Sequence, residues 1–142
     1  STTPTMPSGY AYRMRVGAVR NNASSNFLLF YQQGNTVMKD ARGLFIDNGA
    51  ATTFTDGDAS ALMPPVSRTG FVQISSNNTT GYDIDCQRNG TAGGNLRLTT
   101  VETSFANGDG WCSFDNNGIM EYRNSAASKS ADFFLSGYLE NL

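Results

Sequence analysis

The chain has 142 residues, the length of one domain, and a chain of roughly this size buries about 68–70% of its unfolded surface without needing a metal or a disulfide framework. Charged residues make up 15%, against roughly 25% in typical soluble domains, so Ser, Thr, Asn and Gly must supply the polar surface. A net charge of −2 without a basic stripe speaks against nucleic acid as a partner, and no apolar run approaches the roughly 20 residues of a membrane span.

Taken in chain order, residues 1–8 carry two prolines and read as an extended lead-in. Residues 9–142 read as a single domain. In its first strand, Tyr10, Tyr12, Met14 and Val16 alternate with Ala11, Arg13 and Arg15, the period of a half-buried strand. Gly17 breaks that phase and suggests a bulge. After an Asn/Ser turn, the continuous apolar run from Phe27 to Tyr31 predicts a strand covered on both faces. Ten further short strands are predicted after it: Thr36 to Lys39, Gly43 to Ile46, Ala51 to Thr55, Ala61 to Met63, Phe71 to Ser75, Tyr82 to Cys86, Leu96 to Val101, Trp111 to Phe114, Ile119 to Arg123 and Asp132 to Leu139. Between them, Asn48-Gly49, Asp56-Gly57, Asn89-Gly90, Asn107-Gly108, Asp109-Gly110 and Asn117-Gly118 predict tight turns. Met63-Pro64-Pro65-Val66 predicts a loop or sheet edge, and Asn124 to Ala131 a polar loop. The fold class expected is all-β, an antiparallel β-sandwich or jelly-roll-like domain with little or no helix.

The phenylalanines at 27, 30, 45, 71, 105, 114, 133 and 134 are expected in or beside the core. Tyr10, Tyr12, Tyr31 and Tyr122 are amphipathic enough to line an interface. Cys86 and Cys112 fit either one disulfide or two buried thiols, and buried thiols are the expectation.

The chain contains no histidine. Ser-His-Asp and Cys-His pairs, and histidine-ligated metals, are therefore excluded within it. No phosphate-cradling glycine loop and no nucleophile elbow occur. A carboxylate pair remains available, as in a glycosidase, and Asp83 with Asp85 would share one face of a strand. The Asp56-Gly57-Asp58 turn could hold Ca²⁺ through oxygen ligands, although it lacks the spaced acidic ligands and distal Glu of an EF-hand loop. No cofactor, metal or catalytic residue is expected. Asn22, Asn77, Asn78 and Asn89 open Asn-x-Ser/Thr sequons, which matter only after eukaryotic secretion.

Trp111 follows a glycine-rich stretch. It either stacks on a sugar from the surface or plugs one end of the sandwich, and the plug is the expectation. Binding is expected to fall to loop positions, with Trp111, Asp109, Asn107, Asn77, Asn78 and Tyr82 as the candidates.

The stretch Pro4-Thr5-Met6-Pro7-Ser8-Gly9-Tyr10-Ala11-Tyr12-Arg13-Met14-Arg15-Val16-Gly17 resembles a segment of bacteriophage tail-fibre-like and other virion-associated proteins, of the form Pro-x-x-Pro-x-Gly-Tyr-x-Tyr-x-Arg-Arg-Ile-Gly. Met14 departs from that pattern, and Arg15 matches its second arginine. The likeness continues weakly through Phe27 to Gly34, Pro64 to Arg68 and Phe134 to Tyr138. The resemblance implies a β-rich domain on a phage tail or capsid surface, assembled in the bacterial cytoplasm. It implies no defined ligand; with the polar, weakly charged surface, the function expected is attachment to a host-surface glycan or protein by a homotrimer that also contacts other virion proteins. The alternatives are a capsid decoration or tail-assembly protein and, further off, a carboxylate-pair glycosidase.

Overall fold

The computed structural model describes residues 5, 8–9, 21, 24–27, 29–76, 81–92, 96–99 and 106–140. Among these there are nine strands and no helix: β1 (Phe30–Gln33), β2 (Thr36–Gly49), β3 (Thr55–Asp58), β4 (Thr69–Ser76), β5 (Asp83–Arg88), β6 (Leu96–Thr99), β7 (Ala106–Ser113), β8 (Ile119–Asn124) and β9 (Ala131–Leu139). They form a five-stranded sheet in the order β1-β2-β9-β4-β7 and a four-stranded sheet in the order β3-β8-β5-β6.

The pairings are nested. β5 pairs with β6, β4 with β7, β3 with β8 and β2 with β9, all antiparallel. This is one long hairpin, and the β4–β9 and β5–β8 pairings roll it up into two sheets. A rolled hairpin of eight strands in two sheets is a jelly roll, as the sequence predicted. β1 is added to the β2 edge by a hairpin turning at Gly34.

The core lies between the sheets. Strands β4, β8 and β9 show the cleanest alternation, because one face of each is covered by the opposite sheet. Val72, Ile74, Phe133 and Leu135 point inward from one sheet, and Ile84, Cys86 and Met120 from the other; all are fully buried. The Phe133 ring joins the layers, with centroids 5.0 Å from Tyr122 and 6.2 Å from Phe45. Cys86 and Cys112 are free and buried.

Several expectations are corrected. Thr36–Gly49 is one strand rather than two, because bulges after Met38 and Leu44 absorb the breaks in alternation. Residues 51–54 and 61–63 lie outside the strands, and β3 begins only at Thr55. The run from Phe27 to Tyr31 is not covered on both faces: Phe27, Leu29 and Tyr31 are 72%, 73% and 64% exposed at a sheet edge. Asn107-Gly108 and Asp109-Gly110 are not turns but part of β7, and Asp56-Gly57 is part of β3. Their glycines face inward as spacers. A Cβ at Gly108 or Gly110 would stand 2.7 Å from Leu98 or Leu96, which β6 lays across β7. Asn89-Gly90 and Asn117-Gly118 do form turns, with positive φ at both glycines. Phe114 and Phe133 are core, and Phe30 and Phe45 pack against it. Phe71 and Phe134 instead lie on the outer face of the five-stranded sheet. Phe105, Tyr10, Tyr12 and the arginines from Arg13 to Arg20 lie outside the described residues.

Candidate binding site

β7 is an edge strand whose sequence, Ala-Asn-Gly-Asp-Gly-Trp-Cys-Ser, alternates polar or aromatic residues with small ones. The inner positions must be small because β6 crosses them. The outer positions Asn107, Asp109 and Trp111 therefore stand in one line, all exposed. Three of the six sequence candidates are thus brought together, on a strand face rather than on loops.

β4 completes the surface. In register, Phe71 lies beside Trp111, Gln73 beside Asp109 and Ser75 beside Asn107. The Phe71 and Trp111 rings meet with centroids 5.1 Å apart and a tilt of 59°. That contact orients the indole and leaves Trp111 41% exposed, so it does not plug an end of the sandwich. Arg42 of β2 donates to Gln73 Oε1 and lies 4.0 Å over the Phe134 ring. Holding Oε1 in this way leaves the Gln73 amide nitrogen to donate elsewhere. The result is an aromatic platform beside two ranks of polar groups: Gln73 with Asp109, then Ser75 with Asn107. Successive ranks on one face of a sheet are about 7 Å apart.

The other candidates are placed differently. Tyr82 is buried, and its hydroxyl meets Ser76 Oγ at 2.6 Å and donates to the Ser130 carbonyl at 2.8 Å. It ties β4 to the loop before β9 and is not open to a ligand, a correction to its candidacy. Asn77 and Asn78 lie outside the described residues, as does Asn22. Asn89 donates to Asp115 at 3.2 Å and belongs to a turn network.

Sequence reasoning missed Phe71, Gln73, Ser75 and Arg42 as site residues. The alternation of β4 was visible in the sequence. Its pairing with β7 was not, because Asn107 to Gly110 resembles a pair of turns.

The acid pair is also resolved. Asp83 and Asp85 do share the outer face of β5, on the other sheet. Asp85 accepts from Arg97 at 2.6 Å and from Arg123 at 3.0 Å, while Asp83 lies 3.6 Å from Arg97. Burial pushes the Asp85 carboxyl up, but the two guanidiniums outweigh it and hold the group below its ordinary value. Asp85 is therefore engaged by both arginines in an ion-pair network of the sheet itself. Asp58 caps the turn after β3 by accepting from Ser60 N at 2.8 Å. Among the described residues, no three Cys, Asp or Glu side chains converge as a metal site would require.

No protein-family model matches the chain, and neither does any curated protein.

Proposed function

We propose that the chain is a bacteriophage virion domain of the tail-fibre or receptor-binding kind, and that the outer face of β4 and β7 binds a host-surface glycan. The observation that carries the binding reading is the exposed Trp111, braced by Phe71 and flanked by Asp109, Gln73, Asn107 and Ser75. A sugar ring has an apolar face and a rim of hydroxyls. It needs an aromatic surface to stack on and donors and acceptors a few ångströms away, and this face supplies both. The virion setting is supported by the resemblance of the Pro4 to Gly17 stretch and by the weakly charged, Ser/Thr/Asn-rich composition.

Trp111 is the only tryptophan, so it reports its own occupancy. A glycan array should identify a bacterial envelope saccharide, and titrating that saccharide should shift the intrinsic fluorescence. Trp111→Ala should weaken binding about tenfold or more, in line with roughly 0.5–1.5 kcal/mol from aromatic contact plus lost burial. An array without any hit, or an unchanged affinity in Trp111→Ala, sinks the glycan reading. A second reading, a decoration or tail-assembly protein, is favoured by the exposed apolar side chains along β1. Imaging the labelled domain on the particle separates head from fibre.

A further inference from the structure

The pairing registers set residues of all five strands on one line across the outer face of the larger sheet. Trp111 of β7 lies beside Phe71 of β4, Phe71 beside Gly137 of β9, Gly137 beside Met38 of β2 and Met38 beside Tyr31 of β1. The line is aromatic at both ends and low in the middle. A Cβ at Gly137 would stand 2.6 Å from Met38 Sδ, so the thioether fills that place and floors the line with apolar surface. At the far end Tyr31 is 64% exposed beside a depression of about 240 Å³, lined by Leu29, Phe30, Tyr31, Met38, Lys39 and Asp40. Asp40 N donates to the Leu29 carbonyl at 3.1 Å, one step beyond the Phe30–Lys39 pair, so Leu29 and Asp40 share the face of Tyr31 and Met38. Polar groups accompany the line throughout. Gln73 and Asp109 form the next rank beside Trp111, Arg42 joins Gln73 to the Phe134 ring in the middle, and Asp40 is exposed at the β1 end.

Resting on the glycan reading of the β4–β7 face, we infer that the whole line is one saccharide groove and that its ligand is a neutral, linear polysaccharide crossing the strands, with one unit on Trp111 and another on Tyr31. Length is the first reason. Neighbouring strands are about 4.8 Å apart, so the four steps from β7 to β1 span roughly 19 Å. One unit of a 1,4-linked pyranose chain advances by about one such strand spacing, roughly 5 Å, so four or five units reach from one ring to the other. A single terminal sugar fills the Trp111 end alone. Each step also turns the face by roughly 20–25° about the same line, and a chain that rotates at every glycosidic bond can follow that turn.

Charge is the second reason. The carboxylates of Asp109 and Asp40 are exposed toward the two ends, and the Arg42 guanidinium between them is already engaged by Gln73 and the Phe134 ring. Lys39 pairs with Phe30 and alternates to the opposite face, where its Nζ lies 3.0 Å from the place of a Gly43 Cβ. An acidic polysaccharide would meet like charge at both ends. Sugar hydroxyls instead donate to both carboxylates.

The probes are β-1,4-linked oligomers of N-acetylglucosamine and of glucose, one to six units long, titrated into the purified chain by calorimetry with Trp111 fluorescence alongside. Affinity for at least one series should rise about tenfold or more between two units and five, then level off. Tyr31→Ala should lower affinity for the hexamer about fivefold, the loss shrinking as the oligomer shortens, and Tyr31→Phe, which keeps the ring, should retain it. Leu29→Ser, on the other wall of the depression, should act in the same direction as Tyr31→Ala. Should one of these two lose its β circular-dichroism spectrum, the other decides the matter. Trp111→Ala should lower affinity at every length. Oligomers of α-1,4-linked galacturonic acid should bind about tenfold more weakly than neutral ones of equal length, and equal or tighter binding overturns the neutral class. Affinity that stops rising at two units, or hexamer binding that the folded β1 variants leave untouched, overturns the groove while the glycan reading stands. The same holds if neither neutral series binds while the glycan array identifies another saccharide. An array without any hit removes both.

Discussion

Asp85 shows what individual side chains contribute. Its side chain is 6% exposed although it lies on the outer face of a sheet, because Arg97 and Arg123 from the two neighbouring strands close over it. The Arg123 guanidinium in turn lies 4.5 Å from the Phe54 ring centroid. The three charged groups staple β8, β5 and β6 into one layer. Asp85→Ala should cost about 2 kcal/mol, less than the 3–5 kcal/mol of fully buried pairs because both arginines reach solvent. Urea unfolding midpoints measure this directly. The pH dependence follows from the same geometry. The folded Asp85 carboxyl titrates below its unfolded value of about 3.9, so its stabilisation is complete above that pH and is lost as pH falls through the folded value. Asp115 behaves alike. Burial raises it, but the amides of Ile119 and Asn117, the Asn89 side chain and Arg88 outweigh burial and lower it. Wild-type stability should therefore fall below pH 4, with a shallower slope in Asp85→Asn. Equal slopes would show that Asp85 is not a source of the acid sensitivity.

Burial also governs the two cysteines. Burial pushes the Cys86 thiol well up, with smaller contributions from Cys112 and Asp85, and burial pushes Cys112 up to about 12. Only thiolates react, so both groups are inert while the fold is closed. A thiol reagent at pH 8 should label neither in the native protein and both in urea. Fast labelling of the native protein would contradict the burial.

β7 is a strand whose sequence looks like something else. Asn-Gly-Asp-Gly reads as two turns because each dipeptide supplies positive φ cheaply. Here the glycines serve another need, since β6 lies close across the inner face and Leu96 and Leu98 occupy the space a side chain would take. The local sequence cannot separate these uses, since the difference lies in what packs against the strand. Where the opposite sheet covers one face evenly, as over β4, β8 and β9, alternation is legible and the predicted strands agree with the observed ones. The Phe27 to Tyr31 run misleads for the converse reason. Its apolar side chains mimic a doubly covered strand, but they stand at an edge. Trp111, Asp109 and Asn107 were legible as candidates because exposed polar and aromatic residues are individually visible. Their partners Phe71, Gln73 and Ser75 were not, because they arrive through long-range pairing. The spacer account makes its own prediction. Gly110→Val should lower stability by about 1–3 kcal/mol through overpacking against Leu96, and Leu96→Ala should recover part of that loss in the double variant. Additive losses would mean that Gly110 is not a spacer for β6.

The nested pairing has consequences for the molecule as a whole. β9 sits between β2 and β4, so the five-stranded sheet is held together by the last of the described strands in chain order. Its partners on β2, from Thr36 to Gly49, are among the most distant in sequence that any described pairing joins. The β5–β6 hairpin is local by contrast, and each pairing outward from it closes a longer loop. Closing long loops before their contacts form is what slows folding, and sandwiches dominated by such pairings fold in milliseconds to seconds. Refolding followed by Trp111 fluorescence should therefore fall in that range. Trp111 lies on β7, which joins the sheet through β4 alone, and β4 is held in turn by β9. Substituting Phe133 by Leu on β9 should remove part of the contact that joins the two sheets. If that contact forms late, the variant should unfold faster while refolding at nearly the wild-type rate. Ile84→Val on β5, beside the local hairpin, should slow refolding more for the same loss of stability. Paired folding and unfolding rates from denaturant chevrons read both effects, and the reverse ranking would place β9 docking before hairpin closure.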